Sequence, residues 1–380
     1  MSANPDPKTI MVLAGEPSGE KHVSFVIREI RKLHPDWQFY GMGGDLMQQE
    51  GCELLFHVNQ TSFMGFAEVV KHLPVILDMK KTLIGTLDSR KPDLVLLVDY
   101  PGFNLRFAEE AQKRGIPVFY FISPQIWAWG KGRLKDIQRL ITKMLVILPF
   151  EKKLYDAAGV DCEFTGHPLT EQIALPITKS EFFQAHHLNE SVPLVSLLPG
   201  SRVQEIKSLL PLMIEAVDLL RREGKIQAVV AGVRFVDSGL YDLAVKAGIP
   251  VIFDETHSVM SFAQQAVVAS GTATLETALC GTPLTVVYKT SWPTYFIGRY
   301  LVNLKWISLV NIISDEEVVP ELIQHEANPL SVRKSILRFM DPAIRSQTMD
   351  KISRLRSLLS EKSASKSAAN SVISFLTSKS

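Results

Sequence analysis

The sequence predicts an α/β chain made of two parallel-sheet halves. Short, wholly apolar runs recur, longer amphipathic segments separate them, and the whole pattern restarts after Gly166, His167 and Pro168. Apolar runs without alternation mean strands covered on both faces, and helices between them supply the cover. In order, Thr9–Ala14 reads as a buried strand, followed by a Gly/Pro/Ser loop and a helix over residues 21–33. Residues 37–40 lead into a predicted glycine turn over 41–44. Further strands are expected at Leu94–Val98, 117–122 and 143–148. The second half repeats the scheme with strands at 193–198, 226–231, 250–253, 266–269 and 283–288, and a helix at 206–222. The expected domains are 8–167 and 168–344, with a C-terminal helix of about 345–380 packing back on the first domain or on a partner subunit. The Ser/Lys/Ala-rich tail from Ser360 is expected to be partly mobile, with residues 372–376 able to dock.

Composition narrows the function classes. The 380 residues carry 41 Lys+Arg against 40 Asp+Glu, a formal charge of +1. No basic excess of the kind that binds nucleic acid is present. Three scattered cysteines, none in a CxxC pair, fit neither a disulfide framework nor a zinc site and suit a reducing compartment. The polar residues 1–8 and the short apolar stretch 10–14 do not make a signal peptide, and no run is long enough to span a bilayer.

Several strand-to-helix loops carry chemistry. Gly200, Ser201 and Arg202 follow a strand and open a helix, a setting that offers backbone N–H groups and a guanidinium to a phosphate. Read alone, it is equally a turn with a solvent-facing arginine. Ser270, Gly271 and Thr272 repeat the arrangement after another strand, and Glu276, one turn on, can hold the two hydroxyls of a ribose. Its plain alternative is a first-turn acid. Two anion-ready loops in one half favour a nucleotide diphosphate. In the first half, Glu16 lies in a turn without the GxGxxG spacing of dinucleotide binders, and Asp99 ends an apolar strand, where catalytic carboxylates and ordinary turn formers both sit. Trp127 and Trp129 either pack the sheet edge or line a pocket. His167 reads as structural, and no metal-ligand spacing is visible.

Residues 62–87 form an apolar stretch. Phe66, Val69, Val70 and Leu73 share one helical face; Pro74 ends that helix, and Val75, Ile76, Leu77, Leu83 and Ile84 follow. Interleaved lysines suit the headgroup boundary of an anionic bilayer, while a core-facing helix pair accounts equally for the spacing.

Together these motifs resemble the lipid-A-disaccharide synthase family of inverting GT-B glycosyltransferases. The resemblance runs through Gly15, Glu16, Ser18 and Gly19; Asp99 to Asn104; Ser123-Pro124 with Trp127 to Trp129; Leu148 to Glu151; Gly166-His167; Leu198 to Arg202 with Glu205; Ser270 to Thr272 with Glu276; Tyr288; and Asn311. The chain departs from the family pattern at Gly102 and Glu20, where an aspartate is usual, and at Val310, where a proline is. The absence of an acid at residue 102 removes any role for a second carboxylate there.

The resemblance implies a GT-B fold with two Rossmann-like domains facing across a cleft. It implies transfer of 2,3-diacylglucosamine from a UDP donor to 2,3-diacylglucosamine 1-phosphate, without metal or cofactor. Asp99 would be the base, Glu16 would line the acceptor side, and Gly200, Ser201, Arg202, Ser270, Gly271, Thr272, Glu276 and Asn311 would hold the UDP-sugar. Phe66, Val69, Val70, Leu73, Ile76 and Leu77 would face acyl chains or membrane. The expected setting is the cytoplasmic face of the inner membrane, as a peripheral protein and possible homodimer. Alternatives are another GT-B enzyme, either a lipid-linked N-acetylglucosaminyltransferase or a UDP-sugar 2-epimerase, and a non-catalytic sugar-binding protein.

Overall fold

The computed structural model describes residues 7–60, 73–128, 132–290, 292 and 305–378. The chain forms two compact units, Met1–Glu171 with Leu359–Ser380, and Gln172–Leu358.

The first unit runs β1 (Thr9–Ala14), α1 (Pro17–Leu33), β2 (Gln38–Gly43), α2 (Asp45–Gln49), β3 (Cys52–His57), α3 (Leu73–Arg90), β4 (Leu94–Val98) and α4 (Pro101–Lys113). It continues with β5 (Val118–Phe121), α5 (Arg133–Leu140), β6 (Lys143–Val146), α6 (Pro149–Ala157) and β7 (Cys162–Phe164), and α7 (Leu169–Gln172) leads out of it. Its sheet has the order β3-β2-β1-β4-β5-β6-β7, every pairing parallel. Along β1 the side chains alternate between two apolar clusters. Met11 and Leu13 join Val95, Leu97, Leu83 and Phe107 on one face. Ile10, Val12 and Ala14 join Val23, Ile27 and Ile30 of α1 on the other. A fully buried Val or Leu contributes about 1.5–3 kcal/mol, so a strand covered on both sides gains from being apolar at every position.

The second unit contains α8 (Lys179–Ala185), β8 (Leu194–Leu198), α9 (Val203–Arg222), β9 (Gln227–Gly232), α10 (Asp242–Lys246), β10 (Val251–Phe253) and α11 (Thr256–Ser261). After these come β11 (Gln265–Ala269), α12 (Thr272–Leu279), β12 (Leu284–Tyr288), α13 (Leu309–Ser314), β13 (Glu321–Ile323), α14 (Pro329–Phe339) and α15 (Pro342–Leu359). Its parallel sheet has the order β10-β9-β8-β11-β12-β13. Val195 and Leu197 pack on α9 and α14. Ser196, the one polar side chain of β8, donates its hydroxyl hydrogen to the Val259 carbonyl of α11, which makes its burial affordable.

Four expectations need correction. The predicted glycine turn is strand: β2 runs on through Gly41 and Gly43, with a register shift between Gly41 and Met42. The first helix begins at Pro17, whose missing N–H costs nothing at a helix start. Glu20 therefore lies inside α1, buried, where its carboxylate accepts the Met47 N–H of α2 at 3.0 Å. The helix after β8 starts at Val203, with Arg202 as its N-cap. The tail is ordered: after α15, residues 360–363 turn the chain into α16 (Ala364–Ser378). Ala368, Ala369, Val372 and Leu376 of α16 bury themselves in the same cluster as α1, and its small residues are what permit that close approach.

Phe66, Val69 and Val70, and the side chains of Leu73 and Ile76, lie outside the described residues. In the described part of α3, Leu77 is exposed (57%), whereas Met79, Leu83 and Leu87 are core. Among the described residues no helix is long and apolar enough to cross a membrane.

Candidate active site

Each sheet reverses its winding direction once. In the first unit β1 leads outward to β2 while β4 leads the opposite way to β5, and in the second β8 and β11 part in the same manner. Such a switch point opens a crevice beyond the carboxyl ends of the two central strands, and ligands of doubly wound sheets bind there. Both sets of sequence candidates fall on these points.

In the first unit Ala14 of β1 pairs with Val98 of β4, so Gly15 and Glu16 emerge beside Asp99 and Tyr100. Asp99 and Tyr100 both take the left-handed conformation, with φ of 45° and 48°. For non-glycine residues this costs about 1–3 kcal/mol each and persists only where the surroundings enforce it. The enforcement is visible. The Asp99 carbonyl accepts from the Asn104 amide at 2.7 Å and from the Tyr120 hydroxyl, and the Asp99 N–H donates to the Phe121 carbonyl at 3.1 Å. The Tyr100 ring lies over Gly15 so closely that any Cβ at residue 15 would overlap it. That contact keeps the Glu16 loop against the Asp99 loop. Burial, and then the neighbouring Glu16 carboxylate, push the Asp99 carboxyl up to about 6, against a hydrogen bond from the Tyr100 backbone that opposes the rise. A half-buried carboxylate poised near neutrality is suited to taking a proton.

Beneath its tryptophans the loop after β5 has a polar underside that the sequence does not flag. Trp127 donates its indole N–H to Glu151 at 3.1 Å and packs edge-on against Phe150. Glu151 is buried, and desolvation pushes its carboxyl up to about 8, so it is protonated at neutral pH. Ser123 meets the Tyr155 hydroxyl at 2.7 Å beneath the same loop. His167 is buried too: it accepts the Leu169 N–H, and its donation of a backbone N–H to the Leu359 carbonyl ties down the returning C-terminal segment. Desolvation, with His22 nearby, depresses its pKa to about 3, and it stays neutral.

In the second unit the loops after β8 and β11 line one cavity of about 360 Å³. Gly200, Ser201 and Arg202 form one wall, Ser270, Gly271 and Thr272 another, and Glu276 of α12 joins the lining. The structure thus brings together seven of the eight residues expected to hold a UDP-sugar. Their donors are not equally free. Glu205 accepts from the backbone N–H groups of Ser201 (3.1 Å) and Arg202 (3.3 Å) and meets the Arg202 guanidinium at 3.2 Å. The first anion-ready loop is thus already engaged by the chain's own carboxylate. Gly200, at φ +104°, is packed against that carboxylate with no room for a Cβ. The Arg202 side chain remains 74% exposed and available to a ligand. At the second loop α12 has no side-chain cap, so the N–H groups of its first turn face the cavity unclaimed by a capping side chain.

Asn311 does not join them. It is fully buried; its amide donates to the Val319 carbonyl and Glu321, while its oxygen accepts from the N–H groups of Val318 and Val319. Two donors and two acceptor sites are all an asparagine has, so nothing is left for a nucleotide. Asn311 fixes the loop between α13 and β13 instead. The sequence reading also missed a third wall, formed by Ala231, Gly232 and Val233 at the end of β9 with Thr256 and Met260 of α11. Small and apolar residues carry no chemical flag in a sequence; only the position of β9 beside β8 marks them.

A family profile described as lipid-A-disaccharide synthetase matches residues 10–373. The chain belongs to the lipid-A-disaccharide synthase family. It is similar to the lipid-A-disaccharide synthase of Myxococcus xanthus (39% identity, 98% of each chain) and to that of Syntrophus aciditrophicus (42% identity, 95% of this chain and 96% of the relative). Among solved structures it is similar to CalG4, the calicheamicin glycosyltransferase (TM-score 0.62, 16% identity, 98% of each chain). It is likewise similar to the UDP-GlcNAc 2-epimerase of Neisseria meningitidis bound to UDP-GlcNAc (TM-score 0.64, 12% identity, 98% and 100%). At such identities those two matches establish the GT-B fold alone. As a lipid-A-disaccharide synthase family member the chain is a glycosyltransferase of lipid A biosynthesis, using a nucleotide-sugar donor and a sugar-phosphate acceptor.

Proposed function

We propose that the chain moves a 2,3-diacylglucosamine unit from its UDP donor to the 6-hydroxyl of 2,3-diacylglucosamine 1-phosphate. The anomeric centre inverts and no divalent metal takes part. The Asp99 carboxylate takes the hydroxyl proton as the new C1–O bond forms, the bond from C1 to the diphosphate oxygen breaks, and UDP leaves with the electron pair. Glu16 lines the acceptor side and keeps Asp99 basic. Arg202 and the donors of Ser270, Gly271 and Thr272 carry the leaving charge, with Gly200 and Ser201 shaping the wall and Glu276 holding the ribose. Such pre-aimed donors are a large term in transferase catalysis.

The observation that carries this reading is the single cavity at the second switch point, which joins a guanidinium, an uncapped helix start and a carboxylate. The test is release of UDP from defined acylated donor and acceptor, scored for a new β-1,6 disaccharide. Asp99→Ala should abolish turnover and leave UDP affinity nearly unchanged; turnover near the parent rate would remove Asp99 from its role.

Both substrates carry acyl chains, so the stretch around Phe66, Val69, Val70, Leu73, Ile76 and Leu77 would draw them from the cytoplasmic leaflet of the inner membrane, with the enzyme peripheral there and able to dimerise. Partition onto anionic vesicles that is indifferent to serine at Val69, Leu73 and Ile76 would retire the membrane part.

A further inference from the structure

We propose that Asn104 and Tyr120 are positioning residues for the reaction: together they clamp the Asp99 carbonyl and so hold the Asp99 side chain at the switch point. This rests on the reading of Asp99 as the base and adds the device that aims it.

Two successive left-handed non-glycine residues directly after β4 are unstable in isolation. The turn swings the Asp99 carbonyl back towards the end of the sheet, among the buried side chains of Asn104 and Tyr120. A carbonyl there needs partners, and it has two, from different elements. Asn104 sits on the first turns of α4 and is fully buried; its amide reaches the Asp99 carbonyl at 2.7 Å and the Val98 carbonyl at 3.1 Å, with the Leu13 carbonyl at 3.4 Å. Tyr120 comes from β5, the neighbour of β4, and its buried hydroxyl donates to the same Asp99 oxygen. One clamp is local and one crosses the sheet. The Asn104 amide has only two hydrogens for three carbonyls, and those carbonyls end β1 and β4, the two strands that frame the crevice. The pair therefore ties both rims of the switch point to one side chain and turns Asp99 outward towards Glu16. Neither side chain reaches substrate in this arrangement; each acts through the carbonyl of Asp99.

Tyr120→Phe tests the clamp with least disturbance, because it deletes one oxygen and keeps the ring in place. A shift of the carboxylate by about 1 Å lowers turnover ~100-fold in a positioned site. The expected result is a kcat reduced 10- to 100-fold, with UDP affinity and donor KM unchanged. The carboxyl resonance of Asp99, followed by carbon NMR, should titrate nearer the ordinary aspartate range, and the acid limb of the kcat profile should move down with it. Asn104→Ala should add to the loss if it folds; if it does not, Tyr120→Phe alone decides. Parent kcat in Tyr120→Phe overturns the proposal, as does a lowered kcat with the Asp99 titration unmoved. Failure of the base assignment reads differently: Asp99→Asn would then keep its turnover, whatever Tyr120→Phe does.

Discussion

The switch point of the first sheet carries two carboxylates, with the Asp99 turn held by buried side chains; that of the second carries glycine, hydroxyls and an exposed arginine around an open cavity. The strand arrangement around both is the same, so the fold supplies a crevice without deciding its chemistry. At the first edge, left-handed backbone falls on Asp99 and Tyr100, and Asn104, Tyr120 and the Tyr100–Gly15 contact hold it there. At the second edge, the left-handed position is Gly200, which adopts it freely. A base must be aimed and partly desolvated, which takes strain and cover. A site for a charged ligand must stay accessible and leave donors unclaimed.

The contrast can be broken from either side. Gly15→Ala forces a Cβ into the Tyr100 ring and should part the Glu16 and Asp99 loops. Turnover should drop about 100-fold, with UDP affinity untouched, as measured by steady-state kinetics beside calorimetric UDP titration. Weakened UDP binding in this variant would mean that the two edges are not separable. Gly200→Ala meets the Glu205 carboxylate and an unfavourable φ, worth about 1–3 kcal/mol of strain. It should weaken UDP roughly tenfold while the Asp99 titration stays where it was, and unaltered UDP affinity would exclude the loop from the ligand. The smallest effect belongs to Gly102→Asp. The space beside residue 102 is open, and an acid in the first turn of α4 stabilises the helix by about 0.3–1 kcal/mol. Its charge disfavours ionised Asp99, already pushed up to about 6, so the acid limb of activity should move to higher pH. A limb that stays or moves down would show that residue 102 does not sense the base.

How much of this was legible depended on where burial writes a pattern. The central strands showed as apolar runs because helices cover both their faces; Leu94–Val98 needed no other signal. β3 (Cys52–His57), β7 and β13 escaped notice because all three are edge strands, each with a polar residue on a partly open side. The glycines of β2 imitated a turn, and Pro17 hid a helix start in what looked like loop. At the sites, the loop residues stood out because a strand, a small residue and a helix start imply free N–H groups. Asn311 misled because its type fits nucleotide contacts, while its hydrogen bonds are all spent inside its loop. Tyr120 was hidden in an apolar run, since nothing in a sequence tells where a strand tyrosine sends its hydroxyl.

The placement of α16 bears on how the chain is made. Its apolar side completes the layer over α1 and β1, which are among the earliest described elements to be synthesised, yet α16 leaves the ribosome after all the others. During translation the part of this apolar cluster that Ala368, Ala369, Val372 and Leu376 complete must wait, uncovered, while the entire second unit is produced. Domains elsewhere mature in the order of their synthesis; here the leading unit is finished last, and a nascent chain stalled anywhere in the second unit would display a greasy surface for chaperones to shield.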